Sequence, residues 1–127
     1  MIDGNPVAED MLEAAKMARV HGIINTVRAG SVCIDTSSID PVTAVRIASE
    51  LRKKGVAMLD APVSGGQEKA ESGTLSIMAG GDEPVFERCL GILKSMGRDV
   101  VLVGGSGAGQ IAKLVNQCIV AVNMAIV

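Results

Sequence analysis

Residues 100–117 read VVLVGGSGAGQIAKLVNQ: an aliphatic run, a glycine-serine stretch, then apolar residues at helical spacing. This order describes a strand at Val100–Val103, a turn from Gly104 to Gly109, and a helix continuing to Val127. The same alternation appears upstream. Ser31–Asp35 is a short β-branched run, and Pro41–Lys53 places Val42, Val45, Ile47, Ala48 and Leu51 at helical spacing. Pro41 suits the first turn of that helix and Asp40 its cap. Gly55 ends the helix, Ala57–Asp60 is a second strand, and a loop with a brief polar segment runs on to Ser72. Gly73–Gly80 is a third strand. A helix from about Asp82 to Met96 carries Val85, Phe86, Cys89, Leu90 and Leu93 on one face. Strand, helix, strand, strand, helix, strand, helix predicts an α/β layered domain on a parallel sheet. Pro6–Val20 fits an amphipathic helix with Val7, Met11, Leu12, Ala15 and Ala18 on one side.

The chain has 127 residues, near the usual size of one domain, and shows no internal boundary. Hydrophobic residues make up 48% of it, yet Phe86 is its one aromatic residue, so the core must be aliphatic. The net charge is −2 and the longest basic run is Arg52-Lys53-Lys54, which argues against nucleic-acid binding. Cys33, Cys89 and Cys118 are widely spaced and His21 stands alone, so no zinc site is expected within the chain. Reduced, mostly buried thiols in a cytoplasmic protein are the plain reading, with His21 in a loop or at a helix end. Asp3, Glu9 and Asp10 interrupt any signal peptide. Lys113, Asn116, Gln117 and Asn123 argue against a membrane span at Ile111–Val127. These polar residues share an arc of about 120° at 100° per residue, and the rest of the helix is apolar. Such a helix needs neighbours that this chain does not supply. The sequence therefore reads as cut at both ends, and the helix as a surface for homo-oligomer formation.

Three segments are candidates for chemistry at the carboxyl ends of the strands. The hydroxyls of Asp35-Thr36-Ser37-Ser38 either cap the helix at Pro41 or bond a cofactor or substrate. Ser64-Gly65-Gly66 is either an ordinary turn or a concavity of free amides suited to a carboxylate. Lys113, Asn116 and Gln117 share a helix face. A lysine in the first helical turn meets the positive end of the dipole, and desolvation adds to the cost of its charge. It would thus suit proton transfer; the alternative is a lysine whose stem lies on apolar surface. Gly107-Ala108-Gly109-Gln110-Ile111-Ala112 fits a dinucleotide fingerprint, but no acidic residue follows it. It is read as a tight turn into a helix.

Together these segments resemble the β-hydroxyacid dehydrogenases, the 3-hydroxyisobutyrate dehydrogenase family. The text that carries the likeness is Asp35–Pro41 (DTSSIDP), Leu59–Gly66 (LDAPVSGG), Gly73–Gly81 (GTLSIMAGG) and Gly107–Gln117 (GAGQIAKLVNQ). Within the family, the Asn116-Gln117 pair stands closest to the tartronate semialdehyde (2-hydroxy-3-oxopropionate) reductase branch. The resemblance implies an enzyme using NAD or NADP on a small carboxylic acid. It implies the C-terminal half of a Rossmann-like domain, with residues 110–127 beginning a long interdomain helix. It makes Lys113 the catalytic residue. Ser64, Gly65, Gly66, Asn116 and Gln117 become substrate-binding residues, and Ser37 and Ser38 cofactor contacts. No metal is implied.

The family's opening strand and G-x-G-x-x-G turn are not found, nor is its helical C-terminal domain, and Met1–Arg19 does not align with the segment expected before Gly22. The residue that would choose NAD or NADP belongs to that opening half. A non-catalytic module of this fold is expected to lose the lysine, which is retained here. A substrate like that of 6-phosphogluconate dehydrogenase would need further basic residues. This polypeptide alone is expected to bind dinucleotide poorly and turn over little; a thermal-shift titration should show no stabilisation, and tight, saturable binding would contradict it.

Overall fold

A computed structural model describes residues 22–127. The amphipathic segment at Pro6–Val20 and His21 lie outside the described residues. After a short 3-10 turn at Ile23–Asn25, the elements run β1 Val32–Asp35, α1 Pro41–Lys53, β2 Ala57–Asp60, β3 Val63–Ser64 and α2 Gly66–Glu71. They continue with β4 Leu75–Gly80, α3 Glu83–Met96, β5 Gly97–Gly104 and α4 Ala108–Ile126. The expected strands and helices are thus present, with β3 and α2 in place of the polar segment to Ser72.

The sheet is mixed rather than parallel. β1 pairs with β2 and β4 with β5 in parallel, but β4 runs antiparallel to β2 and β3. The pairs Asp60–Gly80, Val63–Ile77 and Ser64–Ser76 lie in one register, so β2 and β3 form a single strand interrupted at Ala61-Pro62. Residues 65–74, with only the short α2 among them, are too few for a parallel crossover and return the chain like a long hairpin.

Alternation along β2 sorts its side chains between two layers. Leu59 and Ala61 join Ile77, Ala79 and the Phe86, Cys89, Leu93 face of α3. Met58 and Val56 pack instead with Ala48 and Leu51 of α1. Of the expected face of α1, Ala48 and Leu51 are buried and Ile47 packs beside them, whereas Val42 and Val45 are exposed and Ala44 is buried in their place. The cap of α1 is as expected, with Asp40 Oδ2 accepting from Thr43 N at 2.8 Å.

Asp60 shares the parity of Met58 and is 1% exposed. Its Oδ1 accepts from Gly107 N at 2.7 Å and its Oδ2 from Gln110 N at 3.1 Å. A carboxylate of the sheet thus satisfies the first amides of α4 and meets the positive end of its dipole. The helix can come this close only because two residues lack a Cβ. One built on Gly109 would lie 2.6 Å from Asp60 O, and one on Gly80 would lie 2.7 Å from Gly109 N. The Asp60→Ala variant should lose roughly 2–4 kcal/mol in chemical denaturation, because two buried amides lose a charged acceptor. The Asp60→Asn variant, which retains one acceptor, should lose about half as much.

Candidate active site

Beyond β1 the chain turns at Ser37, whose amide donates to Asp35 Oδ1 at 2.9 Å. The hydroxyls of Ser37 and Ser38 do not cap α1, since Asp40 does so. Both serines are exposed, and neither hydroxyl is hydrogen-bonded among the described residues. This loop is fastened from below by Gln110, a side chain that sequence reasoning had passed over. Gln110 is 1% exposed, and both ends of its amide are used. Its Oε1 accepts from Ile39 N at 3.0 Å and its Nε2 donates to Ser37 O at 2.7 Å.

The second segment meets the same helix further along. Asn116 Nδ2 lies 3.4 Å from Ser64 Oγ, at the long limit of a hydrogen bond. Gly65 and Gly66 follow with φ of 140° and 66°, backbone that favours glycine. A Cβ on Gly65 would also lie 2.6 Å from Lys69 Cδ. Gly66 then opens α2.

Helix α4 thus carries the third segment between the other two. Its shielded stripe comprises buried Gly109 and Gln110 and half-buried Ala112, Lys113 and Asn116, which recur at one-turn spacing. Lys113 makes no hydrogen bond or ion pair among the described residues. One expectation is corrected here. The helix begins at Ala108, so Lys113 lies in its second turn, where the dipole has largely faded. The Asp60 carboxylate further offsets that dipole. Gln117 is exposed and touches the Asn116 side chain at 3.5 Å.

The fingerprint-like turn is explained by the same carboxylate. Gly107 is left-handed, at φ 87°, and its amide, which would face a phosphate in a dinucleotide fingerprint, is held by Asp60. This turn does not fit a pyrophosphate. The hydroxyls of Ser37 and Ser38 remain available to a polar ligand.

No cluster of metal-ligating residues occurs among the described residues, and no described helix is long and apolar enough to cross a membrane. The cysteines are less buried than expected: Cys89 is buried, Cys33 half-buried and Cys118 exposed. Burial, and secondarily the Asp35 charge, push the Cys33 thiol above its ordinary range, so it stays protonated near neutrality. Past Asn116 every residue of α4 is exposed, including Ile119, Val122, Met124 and Ile126.

Helices on both faces of the sheet, with two strand-end loops gathered onto one glycine-led helix, define a Rossmann-like α/β domain. The pattern of the NAD binding domain of 6-phosphogluconate dehydrogenase matches residues 5–105, and the chain belongs to that family. The 2-hydroxy-3-oxopropionate reductase of Escherichia coli (strain K12) is 42% identical over 124 residues, covering 98% of this chain and 41% of that protein. The mitochondrial 3-hydroxyisobutyrate dehydrogenase of Bos taurus is 41% identical over 119 residues, covering 94% of this chain and 35% of that one. The solved 3-hydroxyisobutyrate dehydrogenase of Mycobacterium tuberculosis, in a structure with L-serine, superposes with a TM-score of 0.78 at 34% identity. That match covers 87% of this chain and 38% of the other. The chain therefore spans about two fifths of the length of these relatives.

Proposed function

We propose that the protein is an NAD- or NADP-dependent oxidoreductase interconverting a small 3-hydroxy acid and its semialdehyde. Its similarity to the 2-hydroxy-3-oxopropionate reductase of Escherichia coli makes that substrate class the first to test. The observation that carries the reading is the approach of Asn116 to Ser64, on the helix face that also holds Lys113.

Ser64 and the amides of Gly65 and Gly66 hold the substrate carboxylate, as a concavity of unpaired donors suits an anion. Asn116 fixes the reacting hydroxyl or carbonyl, with Gln117 at the rim. Ser37 and Ser38 touch the nicotinamide end of the cofactor. When bound, the dinucleotide supplies the hydride in reduction and accepts it in oxidation. Lys113 handles the matching proton: its ammonium protonates the carbonyl oxygen in reduction, and its neutral amine takes that proton back in oxidation. Among the described residues, no cluster of basic side chains for a phosphorylated substrate stands beside Lys113.

Residues 1–127 belong to one dinucleotide-binding domain, with residues 110–127 as the beginning of an interdomain helix. Its exposed apolar face associates with other copies of the protein. Three free cysteines suit the reducing cytoplasm. The test is the Lys113→Met variant, made in a longer polypeptide that also carries the family's N-terminal dinucleotide-binding half and C-terminal helical domain. It should reduce kcat about 10²- to 10⁴-fold while leaving dinucleotide affinity unchanged. Wild-type turnover retained by that variant would remove Lys113 from the reaction.

A further inference from the structure

Gln110 joins two segments that the proposed reaction needs in fixed relation. Its side chain is fully shielded. The carboxamide spans from α4 to the loop after β1, accepting from Ile39 N at 3.0 Å and donating to Ser37 O at 2.7 Å. Its own backbone amide is held by Asp60 Oδ2 at 3.1 Å, so the residue at the base of the strut cannot drift. One residue thereby connects the Ser37–Ser38 loop, the end of β2 and the helix that carries Lys113 and Asn116.

A buried amide with both ends paired across a loop costs more than an aliphatic side chain would, because its desolvation is only just repaid. Simple filling of the space needs no such group. We infer that Gln110 is a positioning residue, a strut that sets the Ser37–Ser38 loop against Lys113 so that cofactor and proton donor reach one carbon–oxygen bond together. This rests on the dehydrogenase reading proposed above. Gln110 touches neither substrate nor cofactor; it acts through the loop and the helix it joins.

The test compares wild type with Gln110→Met, which conserves volume and removes both polar bonds, with turnover measured in a longer polypeptide that also carries the family's N-terminal dinucleotide-binding half and C-terminal helical domain. In the cofactor-free variant, hydrogen exchange at the Ile39 amide should accelerate, while the Gly107 and Gln110 amides, held by Asp60, stay protected. With a hydroxy acid deuterated at the carbinol carbon, kcat should fall about 10- to 100-fold, as expected for a misplacement near 1 Å. The isotope effect on kcat should rise as the chemical step becomes limiting. A residue that merely stabilises the fold would lower the active fraction and leave the isotope effect unchanged, and that outcome overturns the proposal.

If Gln110→Met does not fold, Gln110→Glu decides. A protonated glutamate can donate to Ser37 O and accept from Ile39 N; an ionised one cannot donate. Asp60 at the end of β2, Asp35 at the end of β1 and Asp40 at the start of α1 all disfavour its ionisation, while Lys113 one turn along α4 favours it. The ratio of variant to wild-type kcat should therefore fall as pH rises. A ratio flat with pH contradicts the strut. Absence of turnover by that longer wild-type polypeptide with either dinucleotide would instead sink the functional reading, and the strut's purpose with it.

Discussion

A carboxylate seated on the first amides of a helix sets the geometry of this domain. Asp60 comes from the end of a central strand, is shielded from water, and accepts hydrogen bonds from Gly107 and Gln110. Alternation along β2 aims it at the layer occupied by α1 and α4, and the bare backbones of Gly80 and Gly109 let the helix descend onto it. Everything assigned to the site follows from where α4 is pinned. The helix offers Gln110 to the Ser37 loop and, two turns on, Asn116 to Ser64.

The same contact separates two uses of a glycine-rich turn. In a dinucleotide fingerprint the helix amides face a phosphate; here they face the protein's own anion. The turn is therefore an anchor, and an external anion must be sought at the loops around it. The loop after β1 keeps its hydroxyls uncommitted, and the loop after β3 uses glycines with positive φ. The two flank the shielded stripe of α4, which holds Lys113 between them in sequence.

Much of this was legible in the chain. Gly55 marked the end of α1, Asp40 its cap, and Asp82–Met96 the third helix within a residue, because glycine, proline and capping residues act locally. The mixed direction of the sheet was less legible, because periodicity identifies strands without giving their sense. The shortness of the segment at 65–74 was the available clue. Ala48 and Leu51 on the face of α1 were read correctly, but Val42 and Val45 sit at helical spacing as well as Ala44 does, and only packing in the fold decides between them. Asp60 and Gln110 were missed as functional supports for a similar reason: their partners lie 47 to 73 residues away. An acid ending an apolar strand and a glutamine in the first turn of an apolar helix were the signals that could have revealed them.

The most direct test of the Asp60 anchor is native-state hydrogen exchange at the Gly107 and Gln110 amides. If the carboxylate holds the start of α4, both should exchange only as slowly as the whole domain unfolds. Exchange at the rate of an exposed glycine turn, with the sheet amides still protected, would show that α4 is held some other way.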